Sequence, residues 1–125
     1  MNGVVTEARQ RWPKWVYGIG DEPDVRFSLA NERTFLAWIR TAMALLAGGV
    51  AVEVVDIDIA DGTKKALAAM LLVLGIASAA TAWLRWARSE RAIRTHTPLP
   101  SPGATALLAG GMVLTGALLL VVSIW

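Results

Sequence analysis

The stretch Asn31-Glu32-Arg33-Thr34-Phe35-Leu36-Ala37-Trp38-Ile39-Arg40-Thr41 runs without a break into the apolar residues Ala42–Val52. An arginine at the centre of a membrane-spanning helix costs roughly 2.5 to 3.5 kcal/mol on insertion scales. A chain that keeps Arg40 there, seven residues after Arg33 and fourteen after Arg26, is expected to use the charge. This line of arginines at the mouth of an apolar helix decides both the fold class and the functional question.

Three apolar runs stand out, at about Thr34–Val55, Ala66–Trp86 and Gly103–Trp125. Each is long enough to span roughly 30–35 Å as a helix, which matches a hydrocarbon core of about 30 Å. A soluble helical bundle would need polar faces, and the stretches Ala66–Leu84 and Gly103–Ile124 carry no charged residue on any face. The chain of 125 residues is 55% hydrophobic and only 18% charged, so the expected fold is an all-α membrane protein with three transmembrane helices. Residues 1–25 are read as a cytoplasmic tail with interfacial aromatics, and residues 26–125 as the three-helix membrane domain. Met1–Gly20 has no apolar core of a cleaved signal, so the first span is expected to serve as the insertion signal.

Orientation follows from the basic residues. Arg9, Arg11, Lys14, Arg26 and Arg33 precede the first span, and Arg85, Arg88, Arg91 and Arg94 follow the second. The first connection has only Lys64 and Lys65, beside Asp56, Asp58 and Asp61. Nine bases against two place the N-terminus and the second connection in the cytoplasm and the C-terminus outside. Thr63 is expected to cap the second helix, and Pro98, Pro100 and Pro102 to stop it before the third. Trp12, Trp15, Tyr17, Trp83, Trp86 and Trp125 fall where interfacial aromatic belts are expected.

The first span has two faces. Arg33, Ala37, Arg40, Ala44, Gly48 and Ala51 fall on one stripe, with Arg26 in line below it, while Leu36, Ile39, Met43, Leu46 and Val50 lie opposite. Small residues let helices approach closely in lipid, so Ala37, Ala44, Gly48 and Ala51 are candidate packing positions. The geometry leaves two readings of the arginines. Either Arg40 snorkels to the headgroups from a helix–helix seam, or the stripe faces a polar centre shared by several copies.

The run from Arg26 to Thr41 resembles the signature of the bacterial YidH-like family (domain of unknown function 202). The resemblance covers Arg26 to about Arg94, including Ala92-Ile93-Arg94 before the last span. The same domain forms the small membrane subunit of the eukaryotic vacuolar transporter chaperone complex, which makes polyphosphate and moves it across a membrane. There the membrane subunits form a pentamer whose first helices line a pore. The resemblance implies anion-binding or pore-lining roles for Arg26, Arg33, Arg40 and Arg94, with Asn31, Glu32, Thr34 and Trp38 supporting the motif. It also implies residence in the plasma (inner) membrane of a bacterium.

Other chemistry finds little support. The chain has one histidine, one tyrosine and no cysteine, and no nucleophile–base set at useful spacing, so an enzyme is not expected. No cofactor is expected. The carboxylates Asp56, Asp58 and Asp61 fail as a calcium loop, because Ala60 and Leu67 occupy positions where acidic ligands are needed. Glu53, the one acid within the spans, is expected at an interface. Arg85, Arg88, Arg91 and Arg94 recur every three residues, suiting either a solvated helix end or the binding of anionic lipid or another polyanion, and they lack the aromatic or polar readers of a nucleic-acid site. Two function classes remain. One is a homo-oligomer of three to five copies with a basic, anion-attracting centre, a conduit for phosphate-type anions or polyphosphate. The other is a non-transporting accessory membrane protein whose arginines bind lipid headgroups or a membrane partner.

Overall fold

A computed structural model of the chain describes residues 10–99 and 103–124. Among the described residues it is all helical: α1 (Lys14–Tyr17), α2 (Val25–Val54), α3 (Asp61–Arg94) and α4 (Gly103–Ile124). The helices α2, α3 and α4 are each long and apolar enough to cross a membrane. Trp125, Pro100 and Pro102, which carried expectations above, lie outside the described residues.

The two long helices begin earlier than their apolar runs. Helix α2 starts at Val25, not near Thr34, because Asp24 caps it: the Asp24 carboxylate accepts the backbone N–H of Arg26 at 3.0 Å. Helix α3 starts at Asp61, so Thr63 lies inside the first turn and is not the N-cap. The negative charge of Asp61 suits the positive end of the helix macrodipole.

Helix α3 continues past its apolar run to Arg94 as an arginine-rich extension, and then stops before any proline is reached. His96 adopts a left-handed conformation (φ 55°). The N–H of Thr97 donates to the Ala92 carbonyl at 3.0 Å and that of His96 to Ile93 at 3.4 Å, the paired bonds of a Schellman motif. Pro98 follows as a second barrier.

The chain forms two compact units. One holds the residues up to Ala37 with the segment from Ala82; the other holds Trp38–Thr81 with the last helix. The second unit is a membrane-type packing of thin contacts. Gly49 faces Leu72 and the Ala68 carbonyl, and Gly75 faces Leu46 and the Ala42 carbonyl, so closely that a Cβ at either glycine would overlap a leucine side chain. Gly111 on α4 faces Leu74 in the same way. Buried Ala42, Leu45, Ala68 and Ser78 complete the seam. Most of the apolar surface stays uncovered: Ile76 is 64% exposed, Val113 73% and Leu107 79%. A water-soluble chain could not leave such residues bare along three helices, whereas lipid solvates them.

Within one chain the seam runs beside the small-residue stripe of α2 and leaves that stripe largely uncovered. Gly48 is half-buried, and a Cβ there would make only an ordinary contact with Leu71 at 3.7 Å, while Ala44 and Ala51 stay exposed. Gly75→Leu should therefore destabilise the detergent-solubilised protein by about 1–3 kcal/mol, the usual overpacking penalty. Gly48→Ala should change little. Thermal unfolding followed by circular dichroism distinguishes the two.

Candidate functional site

The first unit is built around buried charge. Arg94, at the end of α3, is only 2% exposed. Its guanidinium donates from Nε to the Ile19 carbonyl (3.1 Å), from Nη2 to the Tyr17 carbonyl (3.0 Å) and from Nη1 to Glu22 (3.1 Å). Those three acceptors belong to the last residue of α1 and the segment after it, which is drawn over the end of α3. Gly20 makes the approach possible. It has φ 63°, its neighbour Asp21 donates to the Arg94 carbonyl at 3.0 Å, and a Cβ at Gly20 would overlap that same carbonyl.

Glu22 joins two arginines, since Arg11 Nη2 reaches both of its carboxylate oxygens at 2.7 Å while Arg94 takes one of them. Burial alone would raise the Glu22 carboxyl, but the hydrogen bonds from Arg11 and Arg94 outweigh it and hold the group below its ordinary 4.5. The Arg11 and Arg94 guanidiniums also lie over the Tyr17 ring, at 4.3 and 5.4 Å from its centroid. Burial, followed by the Glu90 carboxylate, raises the Tyr17 hydroxyl against the opposing pull of the two arginines.

A second buried group, Glu90 of α3, is 4% exposed and ties α2 to α3. It accepts from Ser28 Oγ at 2.8 Å and from Asn31 Nδ2 at 3.3 Å, and Asn31 also donates to the Trp86 carbonyl at 3.0 Å. Among the described residues no buried side-chain polar atom is left without a partner. Tyr17, Glu22, Ser28, Glu32, Trp86 and Glu90 contribute to the wall of a cavity of about 280 Å³. Aromatic contacts close the outside of the unit: Trp12 and Trp15 pack on Trp83 (6.0 and 6.3 Å between centroids) and Tyr17 on Trp86 (6.1 Å).

The residues singled out in the sequence divide sharply. Arg94 is committed inside this cluster. Asn31 is a helix–helix tie, Thr34 returns its hydroxyl to the Ala30 carbonyl at 3.2 Å, and Glu32 is exposed at the cavity wall. Arg26 is exposed and paired with Asp24 at 3.0 Å. Hydrogen bonds from Arg26 lower the Asp24 carboxyl in turn. Arg33 and Arg40 are exposed, and among the described residues neither has a carboxylate within ion-pair distance. Ala37, Ala44 and Ala51 are exposed with them on α2, and Trp38 is half-buried. Glu22 and Glu90 went unread in the sequence. The one available signal was that Ser28, Asn31 and Glu90 are polar residues on otherwise helical segments. No group of acidic, histidine or cysteine side chains among the described residues is placed to hold a metal ion.

The lowered Glu22 carboxyl fixes the sign of a pH effect. Its contribution to docking the 10–23 segment is fully present above the ordinary glutamate range and is lost as the pH falls through the depressed value. Acidification should therefore shift the emission of the Trp12–Trp15–Trp83 cluster at a pH below 4.5. Glu22→Gln should abolish the Glu22-dependent part of that step.

Residues 26–92 match the family described as a domain of unknown function, DUF202. The protein Rv2272 of Mycobacterium tuberculosis is 47% identical over 105 residues, covering 82% of this chain and 86% of the relative. The inner membrane protein YidH of Escherichia coli K12 is 45% identical over 92 residues, covering 73% and 80%. No solved structure matches. With three helices able to cross a membrane and this likeness to YidH, the chain belongs to the DUF202 family and is a small, YidH-like integral protein of the inner membrane.

Proposed function

We propose that several copies of this protein, three to five, associate through the exposed stripe of α2 and gather Arg33 and Arg40 into a basic centre that attracts phosphate-type anions. The observation that carries the reading is the contrast between the arginines. Arg94 is buried and held by three acceptors, whereas Arg33 and Arg40 stand exposed with no carboxylate partner among the described residues. Ala37, Ala44 and Ala51 share their stripe and leave room for a neighbouring helix. Copies meeting there bring like charges together in a poorly hydrated space, and an anion offsets their repulsion. Arg26 lies at the entrance with its charge partly answered by Asp24. Arg94 has no part in the centre, because its donors are engaged. The proposed orientation keeps the N-terminus and the α3–α4 connection in the cytoplasm and the C-terminus outside, from the distribution of bases.

The orientation is tested by reporter fusions. Fusions after Trp125 and within residues 56–65 should both report an extracytoplasmic location, and a cytoplasmic signal from either would overturn it.

The anion reading is tested in liposomes. Arg33→Ala should lower phosphate or polyphosphate binding and flux by about tenfold or more, on the scale of one charge-assisted contact of roughly 1.5–3 kcal/mol, and leave the native mass of the oligomer unchanged. Equal flux and binding by both proteins would remove the conduit. A monomeric native mass for the unaltered protein would remove the shared centre. Disassembly on Arg33→Ala would assign the arginines to a scaffold that transports nothing.

A further inference from the structure

The end of α3 carries a second basic feature that the α2 stripe does not explain. Arg88, Arg91, Ala92, Thr95, Thr97 and Pro98 line an open pocket of about 430 Å³ in the first unit. Two arginines contribute to its wall and, among the described residues, no acidic residue does. Arg88 is exposed and has no hydrogen bond or ion pair among the described residues. Arg91 is exposed, with one terminal nitrogen on the Trp15 carbonyl at 2.8 Å and the guanidinium 5.9 Å from the centre of the Trp15 ring. That leaves most of its N–H groups available.

The hydroxyls are already turned inward. Thr95 Oγ1 donates to the Arg91 carbonyl at 2.9 Å and Thr97 Oγ1 to Ala92 at 3.4 Å, so the donors open to a ligand are the guanidinium N–H groups. The negative end of the helix dipole opposes an anion here. It amounts to about half a charge, and the Schellman bonds engage some of its carbonyls, so two full positive charges outweigh it.

What lies beside the pocket identifies the ligand. One to two turns back along α3, Trp83 is 37% and Leu84 39% exposed, and Trp12, stacked on Trp83, is 76% exposed. By the helical rise, Leu84 lies about 6 Å from Arg88 and about 10 Å from Arg91 along the axis. Along α3 the exposed apolar and aromatic surface of Trp83 and Leu84 comes first and Arg88 and Arg91 follow, the order of a phospholipid from its acyl chains to its phosphate. A free anion would use the two arginines alone, whereas a phospholipid also uses the exposed apolar surface that precedes them on α3.

We infer that Arg88 and Arg91 form a headgroup site for an anionic glycerophospholipid, with the phosphate between the two guanidiniums and the acyl chains along Leu84 and the Trp12–Trp83 pair. The site is independent of the α2 arginines and of how many copies assemble.

Competition between phosphatidylglycerol and phosphatidylcholine for the detergent-solubilised full chain, read by native mass spectrometry, tests it. The unaltered protein should retain phosphatidylglycerol preferentially. Arg88→Gln should reduce that preference roughly fivefold, and Arg88→Gln with Arg91→Gln should reduce it further, at about that factor for each arginine near an anionic headgroup. Arg88→Lys should keep most of it, and Arg33→Ala all of it. Because Arg88 holds nothing else in place, its single substitution is informative even where the double variant fails to assemble. An unchanged preference in Arg88→Gln overturns the site. So does loss of preference in Arg33→Ala, which would move the lipid to α2. Displacement of the lipid by an equal concentration of inorganic phosphate would show that a bare anion is bound, and would overturn the lipid reading as well.

Discussion

Burying the Arg94 guanidinium is the constraint on which the first unit depends. A charge removed from water is tolerated only if nearly every donor finds an acceptor. Arg94 finds them in two backbone carbonyls and Glu22, at the end of α1 and on the segment that follows it. The carbonyls are within reach only because the chain turns through a left-handed glycine at Gly20. Glu22 in turn fixes Arg11, and the two arginines stack on Tyr17. One buried charge thus converts the polar segment of residues 11–22 into a folded covering for the end of α3.

The same residue type stands in very different surroundings within one short chain. Arg94 is structural because its neighbours supply oxygen. Arg33 and Arg40 lack such neighbours among the described residues and remain available, and Arg88 does so at the other helix. Charge by itself therefore does not mark a binding residue in this protein. The distinction lies in whether the surrounding chain supplies acceptors, which depends on contacts far apart in sequence, such as Tyr17 with Arg94.

Much of the fold was legible because hydropathy is additive along a helix. The three apolar runs needed no knowledge of what packs on them, and the arginine-rich extension of α3 could be read from helical continuity. The helix starts were not legible. The extension of α2 back to Val25 rests on the Asp24 cap and on Ser28 and Asn31 reaching Glu90 more than fifty residues away. The stop at His96 rests on a backbone conformation that a histidine rarely adopts, where the prolines gave the more obvious signal. Among the motif residues, Asn31 could be recognised by its resemblance to a family, but its task of joining two helices is a three-dimensional property. Within one chain the close contact of α2 with α3 lies at Gly49 and not at its neighbour Gly48, and the two look alike in sequence and differ only in which one meets Leu72.

The position of Arg40 on α2 also bears on the thickness of the surrounding membrane. Between Arg40 and Glu53 the charge-free stretch of α2 is only about 20 Å long, while that of α3 between Lys65 and Arg85 is about 30 Å. Side by side in one bilayer, the two helices present unequal hydrophobic lengths. A short flank of this kind is matched by snorkelling of Arg40 to the headgroups, by a locally thinned bilayer, or by another protein surface in place of lipid. This hydrophobic mismatch favours thin bilayers for the isolated chain, and covering the short flank in an assembly relieves it.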